Sequence, residues 1–230
     1  MRNQSKRDIG SRFSNREDAE RYRDRFKSGT RKWAHRCEVR ALERALAAVG
    51  DSVRTIVDVG SGTGRFAPVL RGHAKRLIQI DFSKQMLDVS REGFSLPEDS
   101  GAYIQADARR LPLADNCAEL VFCHRLLNHV QDADDRRSIL AELRRISRRY
   151  VVISCLTAPT WIRAVRWIST AVRRRNPVAI AVDTSTLLRE AVEAGMKETR
   201  RVPIRRVFAP CEFHILTKSL VFVVQCCIAV

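Results

Sequence analysis

Three glycines at alternate positions, Gly60, Gly62 and Gly64, follow the short apolar run Thr55–Val59, with Asp58 inside the run and Ser61 between the first two glycines. Glycines in this pattern permit a tight turn and let a ligand approach the backbone, while the N–H groups at the start of a following helix face it. A dinucleotide fingerprint would need a third glycine at position 65, where Arg65 stands. A phosphate loop would need Gly-Lys followed by Ser or Thr, which is absent. Seventeen residues after Gly64 the apolar run Leu77–Ile80 ends at Asp81. A carboxylate at such a strand end can accept two hydrogen bonds from a ribose diol. A further apolar run ends at Asp107, whose acid suits an adenine amino group and, taken alone, also suits a turn.

Histidine is the side chain that titrates near neutral pH, so His124 and His129 are the candidate general bases if the substrate must lose a proton. His35, Tyr22 and Arg31 stand in an N-terminal segment expected to lie over the ligand site. The five histidines (35, 73, 124, 129 and 214) share no ligand spacing with cysteine or acid on one helix face, so no metal is expected. No nucleophile elbow is present for a Ser/His/Asp arrangement.

These residues need rigid elements behind them. Helical spacing runs from Glu17 to Val49, with Cys37, Leu42, Ala45, Leu46 and Val49 on one face and Gly50 as the stop. Strands and helices then alternate. Strands are expected at Thr55–Val59, Arg76–Ile80, Ala102–Gln105, Glu119–Cys123, Tyr150–Cys155, Glu198–Ile204 and Glu212–Leu216. Helices are expected at Arg65–Arg71, Lys84–Arg91, Asp134–Ser147 and Thr186–Ala194. Such alternation predicts an α/β fold, a doubly wound and mostly parallel (Rossmann-like) sheet of about seven strands. The predicted organisation is a disordered basic tail over 1–15, a helical N-terminal cap over 16–50, a domain over 51–219 and an apolar tail over 220–230. Residues 157–182 interrupt the alternation after the fifth strand. Trp161, Ala164, Val165, Ile168, Ala171 and Val172 fall on one helical face, with Arg163, Arg166 and Arg173–Arg175 as charge. This reads as a basic amphipathic helix placed as a wall over the substrate, or as a plain surface helix.

The stretches DVGSGTGRF (58–66), IDFSKQML (80–87), QADARRLPLADNCAELVFCHRLLNHV (105–130) and RRSILAELRRI (136–146) resemble class I S-adenosylmethionine-dependent methyltransferases. The likeness is to the branch holding ubiquinone-biosynthesis-type C-methyltransferases and related small-molecule enzymes, and it covers residues 50–155. It implies S-adenosyl-L-methionine as cofactor. It places Gly60, Ser61, Gly62 and Gly64 along the methionine part and Asp58 at its amino end. It assigns Asp81 to the ribose, Phe82 and Met86 to packing near adenosine, and Asp107 and Ala108 to the adenine. It places His124 near the methionine moiety and substrate. Asn128 stands where that branch often has a second histidine.

Lys plus Arg is 42 and Asp plus Glu 26, a net charge of +16. Such a field attracts polyanions and anionic membrane surfaces. The expected acceptor is a small or lipid-like molecule, with RNA or another polyanion as the alternative and a non-catalytic cofactor-binding partner protein as the third reading. Against RNA, Phe122-Cys123-His124-Arg125 stands where base-modifying enzymes of this fold often carry an Asn-Pro-Pro-Tyr-type motif. The first thirteen residues hold no apolar stretch, the seven cysteines lack C-x-x-C spacing, and Leu220–Val230 falls short of the ~20 residues of a membrane helix. A cytoplasmic protein with reduced thiols, in peripheral contact with a membrane, is therefore expected.

Overall fold

The computed structural model describes residues 15–50, 53–156, 182–205 and 211–219. The expected tails, apart from Asn15, and nearly all of the 157–182 insertion, with its arginine run, lie outside the described residues.

The N-terminal helical segment consists of two helices. They are α1 (Arg16–Asp24) and α2 (Gly29–Val49). The break follows from the backbone: Ser28 is extended and Gly29 has φ +60°, a left-handed conformation that interrupts an α-helix. Asn15 caps α1 by accepting the Asp18 N–H at 2.8 Å. Ala19 of α1 packs on Met86 and Val89.

The alternation that follows is β1 (Thr55–Val59), α3 (Ala67–His73), β2 (Arg76–Asp81), α4 (Lys84–Gly93), β3 (Gly101–Gln105), β4 (Ala118–Cys123), α5 (Ala133–Ile146) and β5 (Ser147–Leu156). Then come α6 (Thr184–Glu193), β6 (Met196–Arg205) and β7 (Cys211–Lys218). The sheet has seven strands in the order β3-β2-β1-β4-β5-β7-β6. Strands β1 to β5 pair in parallel, and β7 runs antiparallel to both β5 and β6.

Both faces of the sheet are covered, as a parallel sheet requires. On one face Leu42, Ala45 and Leu46 of α2 and Leu70 of α3 bury Ile56, Leu77, Leu120 and Phe122. On the other, Ile139, Leu140 and Leu143 of α5 and Leu187 of α6 bury Val57, Ile78, Val121 and Ile153. The strand order reverses between β1 and β4, whose registers pair Val57 with Val121 and Asp58 with Phe122. A crevice opens beyond the carboxyl ends of two strands at such a point, which is where open α/β sheets take their ligands.

Candidate active site

The turn after β1 is pinned to β2 by its backbone. The N–H groups of Gly60 and Ser61 both donate to the Ile80 carbonyl, at 2.8 and 3.0 Å. Asp81 accepts the Gly62 N–H on Oδ2 at 2.8 Å and the Ser83 N–H on Oδ1 at 2.9 Å. The Asp81 carboxylate is thereby fixed against the glycine turn. Burial raises the Asp81 pKa, opposed by these backbone donors. At Gly64, with φ +70°, an added Cβ would lie 2.1 Å from Ser90 Oγ. That hydroxyl donates to Gln79 Oε1 at 2.7 Å, so α4 packs too closely on the turn for a side chain.

Tyr22, Asp58, Gly60, Ser61, Gly62, Thr63, Arg65, Phe66, His124 and Arg125 line a small cleft, partly open to solvent. Its members come from α1, the β1 end, the glycine turn and the β4 end. Asp58 is 2% exposed and its carboxyl is pushed up to about 8, by burial first and then by the Asp81 charge, with Arg65 opposing. Among the described residues, the buried hydroxyls of Ser61 and Thr63 have no hydrogen-bond partner within the protein.

A charged node closes the cleft on the cap side. Glu38 of α2, 1% exposed, pairs through Oε2 with Arg65 Nη1 at 3.0 Å and through Oε1 with Arg125 Nη2 at 2.5 Å. Arg65 lies over the Phe26 ring at 3.9 Å and the Phe66 ring at 4.8 Å. It also approaches His35 Nδ1 at 3.2 Å. Arg125 takes a left-handed backbone, φ +62°, and its N–H donates to Ser154 Oγ at 2.8 Å. Its Nε has no acceptor among the described residues. His124 is 9% exposed, stacked on Phe122 and edge-on to Phe66; among the described residues neither ring nitrogen is hydrogen-bonded, and Nε2 lies 3.9 Å from Glu38 Oε1. Burial first, then the charges of Arg125 and Arg65, holds its pKa well below the ordinary histidine value. His35 is lowered in the same direction, by burial and then Arg65, with Glu38 opposing. The neighbouring Cys123 thiol is pushed up to about 12 by burial, which removes it as a nucleophile near neutral pH.

The structure gathers Asp58, Gly60, Ser61, Gly62 and His124 in the cleft, with Asp81 bonded to its floor. Tyr22 lines it too, and His35 sits behind Arg65. Phe82 is 47% exposed at the β2 end. Met86 is buried under α1. Asp107 accepts the Arg109 N–H at 2.9 Å and pairs with its guanidinium, which lowers its pKa. Ala108 packs on the α5 side of the core. Asp107 and Ala108 are outside the cleft lining, as is His129, which is exposed on a short 3-10 turn (Leu127–His129). Arg31 is exposed and also outside it.

Glu38, Thr63, Phe66 and Arg125 line or order the cleft without having been singled out from the sequence. In the sequence Arg65 stands only where a dinucleotide fingerprint would need a glycine. One signal was available for Glu38: it sits four residues before Leu42 and seven before Ala45, an acid on the apolar stripe of α2.

Comparisons with known proteins add to this geometry. A family profile described as "Methyltransferase domain" matches residues 57–153. The malonyl-[acyl-carrier protein] O-methyltransferase of Pectobacterium atrosepticum is 33% identical over 116 residues, covering 50% of this chain and 43% of that protein. The demethylmenaquinone methyltransferase of Deinococcus radiodurans is 36% identical over 88 residues, 36% of each chain. The chain thus spans less than half the length of these two curated relatives. Among solved structures, the magnesium protoporphyrin IX methyltransferase of Synechocystis with bound S-adenosylhomocysteine superposes with a TM-score of 0.76 at 15% identity, covering 92% of this chain and 98% of that one. That last likeness is one of fold.

Proposed function

We propose, from a chain whose residues 57–153 match a methyltransferase domain profile and whose fold superposes on a solved methyltransferase, that it is a class I S-adenosylmethionine-dependent methyltransferase that transfers a methyl group from this cofactor to a small-molecule or lipid-like acceptor. The observation that carries the reading is the tie between the glycine turn and Asp81, made beside a cleft at the strand-order reversal. The residues present fit the cofactor. Among the described residues the Ser61 and Thr63 hydroxyls have no partner, a Cβ at Gly62 would meet open space, and the Asp81 carboxylate keeps lone pairs beyond its backbone donors. Asp58 would meet the amino end, Asp81 the ribose hydroxyls, and the exposed Phe82 ring one adenine face.

Bound there, the cofactor supplies an electrophilic methyl group on a sulfonium. This chain's residues bind, orient and exclude water. Phe66 and Phe122 wall the His124 side against solvent, and α1 with α2 cover the turn. His124 is held neutral, so it offers an acceptor nitrogen near neutral pH without first losing a proton. The curated relatives are named for malonyl-[acyl-carrier protein] and for demethylmenaquinone, which supports a small or lipid-like acceptor group over RNA. Contact with an anionic membrane surface and a cytoplasmic location remain part of this proposal. Among the described residues no helix is long and apolar enough to cross a membrane.

Titration calorimetry with S-adenosylhomocysteine tests the donor site. Wild type binds and Asp81→Ala binds at least about tenfold more weakly, from loss of charge-assisted hydrogen bonds. Equal affinity in the two proteins would remove Asp81 from the site.

A further inference from the structure

We propose that the outward face of α2, with Lys32, Trp33, Arg36 and Arg40, is a docking surface for an anionic lipid membrane. The proposal rests on the membrane contact and lipid-like acceptor of the reading above, and gives that contact a place on the fold.

Helix periodicity sets the face. Glu38, Ala41, Leu42, Ala45, Leu46 and Val49 are the buried side of α2. Trp33, Arg36, Arg40, Arg44 and Ala47 recur at spacings of three and four on the opposite side, and all are exposed. Lys32 is exposed beside Trp33, and Glu43 is the sole exposed acid of the helix. Arg44 is tied down within the fold, donating to the Pro203 carbonyl at 2.8 Å. The others form a line of cations along a straight rod, which matches a flat charged surface.

Two observations separate this face from an ordinary solvated one. On the neighbouring α1 the exposed arginines are paired, Arg16 with Glu20 and Glu92, and Arg21 with Glu17 and Asp18. Among the described residues Lys32, Arg36 and Arg40 have no acidic partner, so their charge is directed outward. The second observation is Trp33, 58% exposed in the middle of these cations. An indole ring has an apolar body and a polar N–H, a combination that seats at the headgroup level of a bilayer. Arginine stems lie along the same boundary while their guanidinium groups meet lipid phosphates. A nucleic acid fits less well, because stacking successive bases needs several aromatic rings among the cations and this face has one.

The position serves the cleft. The inner side of the same helix closes it through Glu38, paired with Arg65 and Arg125. A bilayer seated on the outer side lies about 10 Å, one helix diameter, from the cap side of the cleft. A lipid-like acceptor is then drawn from the surface that holds the enzyme.

Vesicle flotation of the full-length protein tests this, with phosphatidylcholine and phosphatidylglycerol in equal parts and with phosphatidylcholine alone as reference. Wild type should float with the mixed vesicles and only weakly with the neutral ones. Arg36→Glu with Arg40→Glu should lower the partition coefficient at least about thirtyfold, and Trp33→Ala at least about fivefold. The control is Arg54→Glu with Lys75→Glu, the same change in net charge at exposed positions just before β1 and β2. It should stay within about threefold of wild type, because charges beyond a Debye length of the lipid are screened. All these side chains are exposed, so urea midpoints should match wild type, and S-adenosylhomocysteine affinity should stay within about twofold. Equal losses in the Arg36/Arg40 and control variants would overturn the proposal, since net charge alone would then hold the protein. Undiminished flotation of the Arg36/Arg40 variant would also overturn it, as would RNA retained through these residues by a protein that does not float. Wild type that binds S-adenosylhomocysteine and fails to float would overturn the docking surface and leave the transferase reading standing. Wild type that floats through this face and fails to bind S-adenosylhomocysteine would do the reverse.

Discussion

In the ligand-free protein the Asp58 carboxyl, pushed up to about 8, is mostly protonated at neutral pH. Burial is the first cause, and it disfavours the charged form in the fold relative to the unfolded chain. Its folded pKa is raised, so its stabilising contribution is fully present below about pH 4 and is lost as pH rises towards 8. A cationic amino group placed against it reverses the preference. Binding of S-adenosylhomocysteine at pH 7 is therefore expected to release close to one proton, about 0.5 to 1 by this linkage. Affinity should rise with pH until about 8 and then level off. Calorimetry in buffers of different ionisation enthalpy reads the proton count directly. A count of zero, or an affinity flat across that range, would show that Asp58 does not meet the amino end.

At the scale of elements, the site depends on helices held at fixed offsets from the sheet. Arg136 of α5 and Glu190 of α6, both buried, form a two-pronged pair at 2.9 and 2.6 Å. Arg136 also donates to the Val130 and Gln131 carbonyls at 3.1 and 2.8 Å, which ties α5 to the loop after β4. Removing one partner leaves a buried charge, so Arg136→Met alone should cost about 3 kcal/mol. Arg136→Met with Glu190→Leu should recover most of that loss, since an apolar pair of similar volume removes both desolvation penalties. Urea midpoints of the two single variants and the double variant measure the coupling. Strict additivity would mean that the pair does not hold the two helices together.

For the whole molecule, a charge of +16 exceeds what the cleft needs. Many of the described ion pairs are exposed, such as Arg16–Glu20 and Arg137–Glu193, and pairs of that kind add little stability. The surplus acts at long range, where salt screens it. Pelleting with vesicles rich in an anionic lipid is expected at low ionic strength. It should fall by an order of magnitude or more between about 50 and about 200 mM salt. Unchanged pelleting across that range would remove the electrostatic basis for membrane contact. RNA retained at low salt while vesicles are not would favour the polyanion alternative.

The sequence alone determined the alternating elements, the strand-ending acids and the glycine turn, because each is a local signal. Period-two and period-3.6 patterns report which face is buried, and a turn with φ of +74°, +56° and +70° at Gly60, Gly62 and Gly64 selects glycine position by position. The break between α1 and α2 escaped the periodicity because a left-handed Gly29 changes the chain direction without changing which residues are apolar. Tertiary structure decided what lies inside the cleft. Glu38, Arg65 and Arg125 are 27 and 60 residues apart in sequence and meet only because α2 covers the crevice between β1 and β4. It also set the two histidines apart, burying His124 among aromatic rings and leaving His129 exposed on its 3-10 turn. A side chain's charge is fixed by its type. Its pairing, its desolvation and therefore its chemistry depend on neighbours that only the folded chain supplies.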